Sequence, residues 1–189
     1  YMQHALVLVD QVHHVLGRHR DDDPRIGWIS GLGDQEGEKH PTKGGLRIGK
    51  ELNERKPGEP LDRYLEWNRD GQYYHYLTKW MHALNGVSQI TRNPSYNQWA
   101  IELAKTSHAR FTYKPPLSER KSMYWKMSID LSRRLISSMG QHDPLDGFVT
   151  YNHLQAVTSK YDECVGLKSE IADMASICER MEWFTDDPL

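Results

Sequence analysis

The lengths of the connections between helical segments constrain this chain most. Read as helices, the sequence alternates short links, near 92–93 and 160–167, with long ones at 17–69, 113–143 and 182–188. In an up-down helical array, alternate connections lie at opposite ends. The three long segments are therefore expected to meet at one end, as a funnel lined by Trp28, Trp125, Lys126, His142 and several Asp. The expected fold is all-α: antiparallel helical hairpins in a single domain over residues 1–189, with 17–69 as a long loop insertion.

Local signals place the helices. Residues 2–16 carry Ala5, Leu6, Leu8, Val9, Val12, Val15 and Leu16 around much of a helix, a pattern that predicts a well-buried element ending at Gly17. The insertion 17–69 is rich in Gly, Pro and charge. Trp28, Ile29, Leu46 and Ile48 are its anchors, and it is expected to be ordered, with a short strand around Leu46–Ile48.

Asp70 reads as the N-cap of a helix over 70–91, with Tyr73, Leu77, Trp80, Leu84 and Val87 on one stripe. Gln72, His75, Lys79 and His82 form a second stripe. Asn93-Pro94 opens a helix over 94–112, with the proline in the first turn, where a missing N–H is harmless.

Pro115-Pro116 stops that helix. Residues 124–129 then alternate like a strand, and 135–139 can return as its partner, giving a small β-hairpin near 124–138. Further helices are expected from Pro144, capped by Asp143, to about Ser159, and from Leu167 to Met181. Asn93-Pro94, Asp143-Pro144 and Asp187-Pro188 recur at spacings of 50 and 44, as repeated helix starts would.

Composition excludes several partners. With 24 basic and 26 acidic residues the net charge is −2, which gives no electrostatic footprint for nucleic acid or an anionic membrane. There is no long apolar run for a transmembrane helix, and Ala5–Val9 is too short for a signal peptide. Two cysteines, Cys164 and Cys178, fit a reducing, cytoplasmic setting, and their placement argues against a bridge between them. Tyr1 at the start and a helix-like opening at Asp186–Leu189 read as a fragment of a longer chain.

Three runs carry a resemblance: Asp70–Leu84 (DGQYYHYLTKWMHAL), Trp125–Ser132 (WKMSIDLS) and Ser138–Gly147 (SMGQHDPLDG). They are similar to segments of an uncharacterised bacterial family of the six-hairpin glycosidase superfamily, whose fold is an (α/α)6 toroid. The similarity extends over most of the chain from about residue 17. It implies about half of a ring, and a carbohydrate-active protein. The hydrolase branches of that superfamily use paired carboxylates, and the N-acylglucosamine 2-epimerase branch uses His as acid and base.

The candidate catalytic residues are His142, Asp143, Asp146 and Asp70. Glycoside cleavage needs two carboxyl groups on opposite sides of the bond, roughly 5 to 9.5 Å apart. The competing explanation makes Asp143 and Asp187 simple N-caps and Asp146 a first-turn carboxylate suited to the helix dipole.

Trp28, Trp67, Tyr124 and Trp125 are candidate sugar-stacking platforms, with Lys126, Gln141, His75 and Lys79 as polar contacts; packing of the long loops explains the aromatics equally. No metal is expected, since three nitrogen ligands at proper spacing are absent, and no cofactor motif is visible. The function that the resemblance implies is a glycoside hydrolase-like protein with a saccharide ligand. The alternatives are a non-catalytic helical domain that self-associates through open helix flanks, as a homo-oligomer, and a sugar epimerase with a His base.

Overall fold

The computed structural model describes residues 2–118, 120–158, 166–179 and 181. It is mostly helical, with small antiparallel sheets. The expectations placed on Cys164, on Asp187-Pro188 and on the segment 182–188 lie outside the described residues.

The helical centre is built from α4 (Tyr74–Thr91), α5 (Pro94–Phe111), α6 (Asp143–Thr158) and α7 (Lys168–Cys178). α4 turns into α5 through Arg92, in the left-handed conformation at φ 57°, and Asn93, whose side chain accepts from the Ser95 N–H at 3.0 Å. Pro94 sits in the first turn, as the sequence predicts. Leu77, Leu84, Leu103, Phe111, Leu154 and Met174 form the common core. Buried hydroxyls link its layers: Tyr74 donates to the Tyr151 oxygen at 2.8 Å, and Tyr151 donates to the Ala104 carbonyl at 3.3 Å.

α1 (Met2–Leu16) lies on the outside of this centre. Only Val9 and His13 are fully buried, while Val7, Leu8 and Val15 are exposed, so the expected deeply buried helix is instead half-covered. Its hold on the core is aromatic. His13 lies edge-on between Trp80 and Trp99, and accepts the Trp80 indole N–H at 3.1 Å.

The insertion 17–69 is ordered, and two short helices interrupt it, α2 (Asp34–Lys39) and α3 (Arg63–Asn68). No strand forms at Leu46–Ile48. The Arg47 N–H bonds the Leu16 carbonyl and the Ile48 N–H bonds the Gly71 carbonyl, so this segment is shared between two neighbours instead of joining a ladder.

Arginine–carboxylate pairs tie the insertion down. Asp70, wholly buried, takes Arg20 at 3.2 Å and Arg47 at 2.9 Å on one oxygen, and the Gly49 and Gly71 N–H groups on the other. Asp70 is therefore not the cap of α4. That helix starts at Tyr74, with Tyr73 before it and no side-chain cap.

Strands β1 (Gln72–Tyr73), β4 (Lys126–Met127) and β5 (Arg134–Ile136) make one sheet in the order β1-β4-β5. Tyr73 faces Lys126, and Lys126 faces Ile136. The expected hairpin near 124–138 is present with shorter strands, and β1 adds to its open side. β2 (Thr112–Tyr113) and β3 (Ser122–Met123) pair separately. Among the described residues no helix is long and apolar enough to cross a membrane.

Candidate functional site

The sheet and α3 together create a groove. Trp67 lies in the last turn of α3 and Trp125 immediately precedes β4. Between them lies an opening of about 510 Å³ whose walls include Leu61, Arg63, Leu135, Ile136, Ser137 and Ser138. The same two tryptophans also border a small recess of about 20 Å³, lined by Lys50, Tyr73, His75 and Tyr76.

The aromatic groups are held edge to face. Trp125 meets Tyr73 at 5.6 Å between ring centres, and Tyr73 meets Tyr76 at 5.9 Å. His75 stacks on Tyr76 at 4.1 Å. Trp67 is 57% exposed and Tyr76 45% exposed, so ring surface faces water where packing would otherwise cover it.

A buried cation ties the two tryptophan-bearing segments together. The Lys126 ammonium donates to Glu66 Oε1 at 2.8 Å and to the Glu66 and Arg69 carbonyls at 2.8 and 2.9 Å. Arg55 takes the other Glu66 oxygen at 2.9 Å. Burial pushes the Lys126 pKa down, and the Glu66 hydrogen bond opposes that shift. All the protons of Lys126 are spent inside the protein, so it positions α3 against β4 and does not face a ligand.

One turn along α4 from His75 lies a polar seam with α6. Lys79 pairs with Asp146 at 3.1 Å, and His82 Nε2 lies 2.8 Å from the Thr150 hydroxyl. Burial, then the Lys79 charge, lowers the pKa of His75. Asp143 sits in the first turn of α6, almost wholly buried, and its Oδ2 has no hydrogen-bond partner. Burial, helped by the Asp146 charge, raises its pKa to about 6. Asp143 is thus a poor cap and a carboxyl group poised to exchange a proton near neutrality. Gln141 and His142 stand half-buried just before it, and the Asp146 N–H bonds the His142 carbonyl.

The sequence-derived site therefore divides. Trp67, Trp125 and His75 meet in the groove; Lys79, His142, Asp143 and Asp146 belong to the adjoining α4–α6 seam. Three candidates fall elsewhere. Trp28 is only 2% exposed, with its ring against Gly37 and under the Arg18 guanidinium. Asp70 is saturated by Arg20 and Arg47, away from α6. Tyr124, just after β3, stacks on Tyr113 of β2 at 4.1 Å and nearly parallel. The single funnel expected from the loop lengths does not form around Trp28, because that residue is consumed by packing between α1 and α2.

Lys50, Arg63, Tyr73 and Tyr76 also line the groove and its recess. The sequence signal for the two tyrosines is Tyr73-Tyr74-His75-Tyr76, an aromatic run longer than one buried helix face requires. Among the described residues no group of His, Cys, Asp or Glu is arranged to hold a metal ion.

Comparison with protein families, curated proteins and solved structures finds no match for this chain.

Proposed function

We propose that this chain binds a carbohydrate, with a sugar ring against Trp67 and Trp125. The observation that carries the reading is the pairing of an exposed Trp67 with Trp125 across an open groove whose other wall offers the Ser137 and Ser138 hydroxyls. Aromatic faces suit the C–H faces of pyranose rings, and nearby hydroxyls can exchange hydrogen bonds with sugar hydroxyls. The resemblance of the runs around residues 70–84, 125–132 and 138–147 to six-hairpin glycosidases points the same way. On this reading the α4–α5 and α6–α7 pairs are hairpins of an (α/α)6-type ring.

Titration of the whole chain with a panel of oligosaccharides, followed by tryptophan fluorescence, tests the proposal. Binding that Trp67→Ala abolishes supports it. A panel without a ligand, or binding indifferent to Trp67, would sink it.

Glycoside hydrolysis is the second reading, and Asp143 favours it. Its carboxyl group, held near pKa 6, supplies one proton-exchanging group, while Asp146, one turn along the same helix, is paired with Lys79. Asp143→Asn and Asp146→Asn should each remove turnover of any bound oligosaccharide without removing its binding. A homo-oligomer is a further reading, supported by the exposed Val7, Leu8 and Val15 of α1. Sedimentation that gives a monomer at every concentration would remove it.

A further inference from the structure

We infer that the groove takes an acidic saccharide, one bearing a carboxylate or a sulfate. This rests on the carbohydrate reading above and narrows it. The groove and its recess present cations and no carboxylate: Arg63 stands at one side, Lys50 at the other, and no Asp or Glu lines either part.

Arg63 stands apart from the other arginines of the insertion. Arg18, Arg20, Arg25, Arg47, Arg55 and Arg69, all from the same insertion, are each paired with at least one carboxylate. Lys50 and Arg63 are not. Among the described residues the Lys50 ammonium has only the Trp67 ring, 4.8 Å away, and the Arg63 guanidinium has no ion-pair partner. A chain of net charge −2 has carboxylates to spare, yet none stands here.

Two unpaired cations on either side of an aromatic wall complement an anion attached to a ring. An ammonium over an indole is still free to take an anionic partner on its outer side. Arg63 presents a planar fork that matches a carboxylate or a sulfate. The anion's chemistry is shared by uronates and sulfated sugars, so both belong in the test.

The experiment is calorimetric titration of the whole chain with tetragalacturonate, with a chondroitin sulfate tetrasaccharide and with neutral galactotetraose. The acidic probes, or one of them, should bind at least about tenfold more tightly than the neutral one. Lys50→Gln and Arg63→Gln should each weaken acidic binding by about 5- to 20-fold, and by several-fold more than they change neutral binding. Added salt should weaken the acidic probes alone.

Neither substitution orphans a carboxylate, so both variants should keep the parent's thermal midpoint. The probe that binds more tightly identifies the anion. Equal binding of neutral and acidic probes, or charge variants without effect, overturns the inference and leaves the carbohydrate reading standing. Failure of all three probes to bind overturns the inference, and the wider oligosaccharide panel then decides the carbohydrate reading.

Discussion

Lys126 and Glu66 meet at 2.8 Å with neither side chain reaching water. They are 60 residues apart, and the contact fixes α3, which carries Trp67, against β4, which follows Trp125. A buried pair of this kind is fragile to the loss of one member, because the other is left charged and unpaired.

Lys126→Met should therefore cost about 3–5 kcal/mol, measured by urea denaturation. Glu66 retains Arg55, so the lower end of that range is expected. The double variant Lys126→Met/Glu66→Gln should recover part of the loss. A single variant as stable as the parent would show that the pair does not hold the groove.

His13 makes stability depend on pH. Burial, then the charge of His14, lowers its pKa from 6.5 to about 4. In the folded state it must remain neutral to accept the Trp80 N–H. The unfolded chain binds a proton more readily, so stability falls as pH drops from about 6.5 to about 4. The shift corresponds to roughly 3 kcal/mol. His13→Gln keeps an acceptor for Trp80 and removes the titration, so its melting temperature should change less over that window. Parallel curves for the two proteins would refute the assignment.

Asp143 acts with the opposite sign. Its folded pKa of about 6 lies above the ordinary 3.8, so its favourable contribution is complete below 3.8 and lost as pH rises through 6. Asp143→Asn should leave stability at pH 4 nearly unchanged and raise it by about 1–3 kcal/mol at pH 7.5. Carboxyl carbon NMR against pH would give the titration midpoint directly. A midpoint below 4.5 would remove the proton-donor role with it.

Gly37 tests the seat of Trp28. A Cβ at this position would lie 2.2 Å from the indole, inside any tolerable contact. Gly37→Ala should cost about 1–3 kcal/mol, read as a lower urea midpoint, because the ring has no free space to retreat into. An unchanged midpoint would mean that α2 shifts freely.

Local chemistry made much of this fold legible. Asn93-Pro94 identifies a helix start by itself, since the cap and the missing N–H both act within one turn. The alternation over 124–129 likewise announces β4 and its return partner. Trp67 and Trp125 stand out by residue type, but nothing local in the sequence places them across one groove.

Asp70 and Lys126 show what stays hidden. A carboxylate before a helix looks like a cap, but the partners of Asp70 are Arg20 and Arg47, 50 and 23 residues away. Lys126 in an alternating strand looks like an exposed residue until Glu66 is brought beneath it. Trp28 is similar: its burial depends on close approach to Gly17 and Gly37, which only the folded chain brings around one ring. Long-range charge pairing and close approach leave no periodic signature.

The ties across the insertion also govern the order of events during folding. Arg25 reaches Asp130 over 105 residues, and the groove itself draws on Lys50 and Arg63 from one part of the chain and Trp125 to Ser138 from another. Closing such distant loops carries an entropic penalty that local helices do not share. The α4–α5 hairpin can form soon after synthesis, whereas the groove has no existence until residue 138 has emerged. The groove is therefore a late and non-local product of the chain, while the α4–α5 hairpin is an early and local one.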